Sequence, residues 1–97
     1  MADTRTTTLY VVAYDIPSDR RRTKIPKVLS GFGHWTQFSL FECFLTEKQY
    51  LQLRRHLENH LKPDEDSVRF YVICAGCQSR SETLGGALPS EPDIFLV

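Results

Sequence analysis

An aspartate that closes an apolar run, followed at once by a cluster of cations, is the pairing in this chain with most chemical potential. Asp15 ends Leu9-Tyr-Val-Val-Ala-Tyr-Asp15. A carboxylate where a buried strand meets its loop can bind a metal or move a proton, and the same position suits an Asp that caps a helix or stabilises a turn. Just downstream, Arg20, Arg21, Arg22, Lys24 and Lys27 make five of eight residues basic, with no acid among them. A patch of this kind contacts phosphates, or stands as a solvated helix face.

Two further pairs have ligand spacing. Cys74-Ala-Gly-Cys77 is half of a structural zinc set, with no second Cys-x-x-Cys or His knuckle to complete it. The pair would need a second copy to bind zinc, or it is redox-active, or it marks a turn that ends a strand. His56 and His60 fall at i and i+4 on an expected helix, but the Glu of the metalloprotease motif is missing beside His56. Exposed helix histidines are the plain alternative. No Walker sequence, dinucleotide fingerprint or Ser-His-Asp arrangement is present.

The chain has 97 residues, 12 Lys+Arg and 12 Asp+Glu, for a formal net charge of +0. This suits one small globular domain and excludes collagen-like, coiled-coil and disordered chains. Neutrality is an average: residues 1–34 hold six basic and three acidic residues, and residues 35–97 hold six and nine. No apolar run nears the roughly 18–20 residues of a membrane span, and Met1–Thr8 has no hydrophobic signal core, so no membrane contact and a cytoplasmic location are expected. Three cysteines, an odd number, fit reduced thiols.

These residues need elements to position them. Thr8–Tyr14 reads as a strand buried on both faces. Arg20 to about Gly31 reads as a helix with Ile25, Val28, Leu29 and Phe32 on one stripe, and Pro26 requires a start near Thr23 or a kink. Gly31 and Gly33 would stop it. His34–Leu45 reads as a strand. Thr46-Glu-Lys-Gln49 is a capping box, opening a helix with Tyr50, Leu53, Leu57 and Leu61 on one face. Ser67–Cys74 and Ser79–Leu84 read as strands, and Asp93–Val97 as an extended tail. The expected fold class is α+β: a ferredoxin-like β-α-β-β-α-β domain spanning 1–97, with a core over about 8–84 and a tail over 85–97. Helices cover one sheet face, so a second copy is the simplest cover for the other, giving a face-to-face homodimer.

Tyr-Val-Val-Ala-Tyr-Asp15-Ile, Asp19-Arg-Arg-Arg22-x-Lys24, Gly33, Gln37-Phe-Ser39-Leu-Phe41-Glu42, Arg69-Phe-Tyr-Val-Ile-Cys74 and Leu84-Gly85-Gly86 together closely resemble the small CRISPR-associated Cas2 family. The likeness runs from about Leu9 to Val97. It implies a ferredoxin-like homodimer whose C-terminal strands join the partner's sheet. It also implies a part in acquiring CRISPR spacers, and so in antiviral defence, bound to the spacer integrase. Several members are described as metal-dependent endonucleases on RNA or DNA. The resemblance marks Asp15 as the metal-binding and catalytic carboxylate, with Mg²⁺ or Mn²⁺ as cofactor. It marks Tyr14, Arg22, Lys24, Ser39 and Phe41 as the supporting or substrate-contacting shell, which Arg20 joins from the basic run. Where the family often carries a basic residue, this chain has Trp35, so base stacking replaces a phosphate contact there or nothing does.

Mg²⁺ prefers six oxygen ligands, so one Asp15 is too few, and a two-fold dimer would supply two. The function the resemblance implies is a metal-dependent endonuclease on single-stranded RNA or double-stranded DNA, acting in spacer acquisition and antiviral defence. The alternative is a non-catalytic dimeric DNA-binding adaptor. A small-molecule regulatory domain is the remaining reading, and it leaves the basic helix without a use.

Overall fold

The computed structural model describes residues 6–86. The tail strand expected over Asp93–Val97, and its exchange between copies, lie outside these residues. Four antiparallel strands form one sheet: β1 (Thr8–Asp15), β2 (His34–Gln37), β3 (Leu40–Leu45) and β4 (Ser67–Ile73), in the order β2-β3-β1-β4. This is the ferredoxin-like strand order, with β1 and β3 central.

Alternation along β1 decides which residue meets which layer. Tyr10, Val12 and Tyr14 face the helices, opposite Val72, Phe70 and Val68 of β4. Leu9, Val11, Ala13 and Asp15 face the other way, opposite Ile73, Tyr71, Arg69 and Ser67. On β3, Phe41, Cys43 and Leu45 are buried on the helix side, while Leu40, Glu42 and Phe44 are half-buried on the open side.

The first helical segment is split. α1 (Asp19–Arg22) is capped by Ser18, whose hydroxyl accepts from the Arg21 amide at 3.3 Å. The chain restarts at Thr23 as α2 (Lys24–Ser30). Pro26 is then the third residue of α2, where an amide has no partner within the helix, so the ring removes no hydrogen bond. α2 sets Ile25 and Leu29 into the core, each fully buried. The expected glycine stop is not a left-handed one, because Gly31 sits at φ −77°. Gly33 is needed for space instead: a Cβ there would lie 2.4 Å from the Cys43 sulfur and 2.4 Å from the Glu42 carbonyl oxygen.

The strand expected over 34–45 is a hairpin. β2 and β3 pair antiparallel, and Gln37 opposite Leu40 leaves Phe38-Ser39 as the turn. Tight hairpin turns call for a residue at positive φ, and Phe38 takes that role at φ 47°. A bulge between Trp35 and Gln37 disturbs the pairing.

α3 (Glu47–Glu58) opens on the expected capping box. The Gln49 amide donates to Thr46 Oγ1 at 3.1 Å, and the Thr46 amide donates to Gln49 Oε1 at 2.9 Å. Leu53 and Leu57 are buried beneath it, and Tyr50 stacks on Tyr10 with ring centroids 4.7 Å apart. Burying an aliphatic side chain of this size contributes about 1.5–3 kcal/mol, so α2 and α3 are held mainly by four such residues. The last strand expected, over 79–84, does not form. One helical turn, α4 (Ala75–Gln78), follows β4 and packs against β1, and 79–86 runs on without strand pairing.

Candidate nucleic-acid interface

β1 delivers Asp15 at its C-terminal end, exposed and on the open sheet face. Its carboxylate has no hydrogen-bond or ion-pair partner among the described residues. The loop behind it is braced. Arg22 Nη1 donates to the Ile16 carbonyl at 2.9 Å and to the Pro17 carbonyl at 3.4 Å, while Nη2 pairs with Asp19. The hairpin turn is fixed to the same end of the sheet, because the Tyr14 amide donates to the Ser39 carbonyl at 3.1 Å.

The basic run divides by task. Arg21 binds Asp66 through Nε to Oδ2 at 2.7 Å and also reaches Glu65 at 3.1 Å. Its hydrogen bond holds the Asp66 carboxyl below the usual carboxylate range. Glu65 is lowered too, first by Lys62 and then by Arg21. Arg21 and Arg22 are therefore spent on the fold. Arg20, Lys24 and Lys27 are exposed, and their side chains have no acidic partner among the described residues. These three can neutralise phosphates without first giving up an ion pair.

The expected site residues do not all converge. Tyr14 and Phe41 are core side chains, 9% and 1% exposed, with rings tilted together at 6.5 Å on the helix side. They can support the end of β1, but they do not present a surface to a substrate. Ser39 is half-buried, and its carbonyl accepts from the Tyr14 amide. His60 lies beyond the end of α3, so the chelating spacing with His56 is not realised on one helix. His56 instead lies against Phe32, with centroids 6.0 Å apart.

Two features carry more than their sequence spacing discloses. Trp35 and Phe38 are 61% and 85% exposed, and Trp35 Nε1 donates to the Phe38 carbonyl at 2.8 Å. The indole is thus pinned beside the turn with much of its surface open. Arg69 is exposed on the same sheet face as Asp15, in register with Ala13 on the neighbouring strand. The period-2 alternation of β4 is the signal for Arg69.

Among the described residues no three His, Cys, Asp or Glu side chains gather around one point. Asp15 by itself falls short of the donor set that Mg²⁺ requires. Nor is any helix among these residues long and apolar enough to cross a membrane.

The family model described as CRISPR associated protein Cas2 matches residues 8–81. The CRISPR-associated endoribonuclease Cas2 1 of Synechocystis sp. is 40% identical over 93 residues, covering 92% of this chain and 99% of that protein. A crystal structure of a hypothetical protein from Thermus thermophilus superposes with a TM-score of 0.72 at 36% identity, over 87% of this chain and 96% of that one. A chain of a partial Cas6-RT-Cas1–Cas2 complex gives a TM-score of 0.70 at 25% identity, over 88% of this chain and 99% of that one.

Proposed function

The chain belongs to the CRISPR-associated Cas2 family, and from that premise we propose that two copies form a nucleic-acid-binding adaptor within a spacer-integration complex. A Cas2-type part in CRISPR adaptation and defence follows from membership. The adaptor role rests on one observation above the rest: Arg20, Lys24 and Lys27 stand exposed and without an acidic partner among the described residues, while Arg21 and Arg22 are consumed by the fold. The likeness to a chain from a complex named for Cas1 and Cas2 supports an integrase partner.

The open sheet face supports pairing of two copies. Val11, Ala13, Leu40, Phe44 and Ile73 are only half-buried there, and Tyr71 is 49% exposed. An apolar sheet face of this kind gains by meeting its own copy about a two-fold axis. The tryptophan beside the hairpin turn adds a stacking surface for an unpaired base.

Binding of a labelled duplex with single-stranded ends, followed by fluorescence anisotropy over a salt series, tests the adaptor. Replacing Arg20, Lys24 and Lys27 together by Ala should weaken binding and flatten the salt dependence, by about 0.9 in log–log slope for each phosphate no longer neutralised. Unchanged affinity and slope would remove the basis of the reading.

A second reading is kept for a specific reason. Asp15 is exposed and unpartnered among the described residues, on the face that would meet another copy, and the Synechocystis relative is named an endoribonuclease. On this reading two Asp15 side chains, one from each of two copies, would form the cation site, since no such cluster gathers among the described residues of one chain. Divalent-metal-dependent cleavage of RNA or duplex DNA, abolished in Asp15→Asn with dimerisation intact, would establish it.

A further inference from the structure

The chain's three cysteines differ in environment. Cys43 is fully buried on β3, and burial pushes its thiol up to about 12, so it offers essentially no thiolate near neutrality. Cys74 and Cys77 are both exposed. They sit on the single turn that follows β4, and the Cys77 amide donates to the Cys74 sulfur at 3.4 Å. Nothing in the nucleic-acid reading uses this pair.

We propose that Cys74 and Cys77 form a dithiol site that exchanges with a low-molecular-weight disulfide and closes into an intramolecular disulfide. The two sulfurs have distinct roles. Cys74, whose sulfur accepts the Cys77 amide hydrogen bond, is the attacking group, and that bond favours its thiolate. It attacks one sulfur of RSSR, forming a Cys74–S–S–R bond and expelling RS⁻. Cys77 gives up its proton to solvent and attacks the Cys74 sulfur, expelling the second RS⁻. The two protein thiols are oxidised to one disulfide, RSSR is reduced to two RSH, and the two cysteine protons balance the two thiols formed.

The spacing suits closure. Cys74 is the extended N-cap of the turn and Cys77 lies three residues on, within it, and the Cys74 sulfur already folds back to within 3.4 Å of the Cys77 amide. Closure therefore needs movement only within one short, exposed turn. The site stands apart from Arg20, Lys24 and Lys27, so its test is independent of the adaptor reading.

The native protein would be incubated with oxidised glutathione, quenched in acid, alkylated under denaturing conditions and weighed by mass spectrometry. Wild type should lose the mass of two hydrogens, keep one alkylatable cysteine, and map that cysteine to Cys43. Cys77→Ser should stop at a single glutathione adduct on Cys74. Cys74→Ser should form adduct about tenfold more slowly or worse. Both positions are exposed, so both variants are expected to fold, with circular dichroism as the check. Wild type that retains both thiols, stalls at the adduct, or links two chains instead would overturn the proposal. So would equal reaction rates for the two variants.

Discussion

Arg21 grips Asp66 with two hydrogen bonds, Nε to Oδ2 at 2.7 Å and Nη2 to Oδ1 at 3.1 Å, across 45 residues of chain. The Asp66 side chain is wholly enclosed, and Oδ2 also accepts from the Lys62 amide at 2.9 Å. This pairing ties the helix after Asp15 to the turn before β4. It is why one arginine in a row of three is unavailable to a phosphate.

A pH dependence follows from that ion pair. The Arg21 hydrogen bond depresses the Asp66 carboxyl in the folded chain. A depressed carboxyl contributes stability above its unfolded value of about 3.9 and loses it as pH falls through the folded value. The melting temperature should therefore drop as pH falls below about 4. Asp66→Asn should melt lower at pH 7 and show a shallower fall through the acid range. Thermal denaturation followed by circular dichroism from neutral to acid pH checks this, and parallel curves for the two proteins would refute it.

Gly33→Ala should destabilise the fold. The added methyl meets the Cys43 sulfur and a β3 carbonyl at 2.4 Å, and the carbonyl belongs to backbone that cannot easily yield. Overpacking of this kind costs about 1–3 kcal/mol. Urea unfolding should show a lower midpoint, whereas the exposed Gly76→Ala, with open space at its Cβ, should leave the midpoint nearly unchanged.

Much of this fold is readable in the sequence, and the exceptions have causes. The capping box at Thr46 and the Ile25–Leu29 stripe are local patterns, and local patterns survive folding. The hairpin is hidden because Phe38-Ser39 has no Gly, Asn or Asp, and the alternation of 34–45 runs through the turn unbroken. The expected last strand fails because 79–84 has a polar start and no apolar alternation to anchor it. Among the site residues, Asp15 is legible as a strand end. The sorting of Arg20, Lys24 and Lys27 from Arg21 and Arg22 is not, since Asp66 lies 45 positions from Arg21 and only the tertiary fold brings them together.

The pinned indole gives a test on the ligand side. Trp35→Ala should cost about 1–3 kcal/mol in binding to a duplex with single-stranded ends, the worth of one stacked base. Affinity for a blunt duplex of the same length should barely change. Anisotropy titrations on the two ligands measure the difference, and equal losses on both would assign Trp35 to folding instead.

The open sheet face predicts a two-chain unit. Tyr71→Glu places a charge on that face, where Tyr71 is half exposed in the single chain. Sedimentation should show wild type as a dimer and the variant as a folded monomer. A dimer of unchanged stability in Tyr71→Glu would place the pairing surface elsewhere.

If this chain contributes by binding nucleic acid, the three exposed cations are indispensable and Asp15 is dispensable. Spacer acquisition in cells carrying the cognate array and integrase measures this directly, with wild type, Asp15→Asn and the Arg20/Lys24/Lys27→Ala triple variant expressed at matched levels. Acquisition should stay near the wild-type level in Asp15→Asn and be lost in the triple variant. Loss of acquisition in Asp15→Asn, with the triple variant still active, would contradict it and leave the carboxylate as the working group.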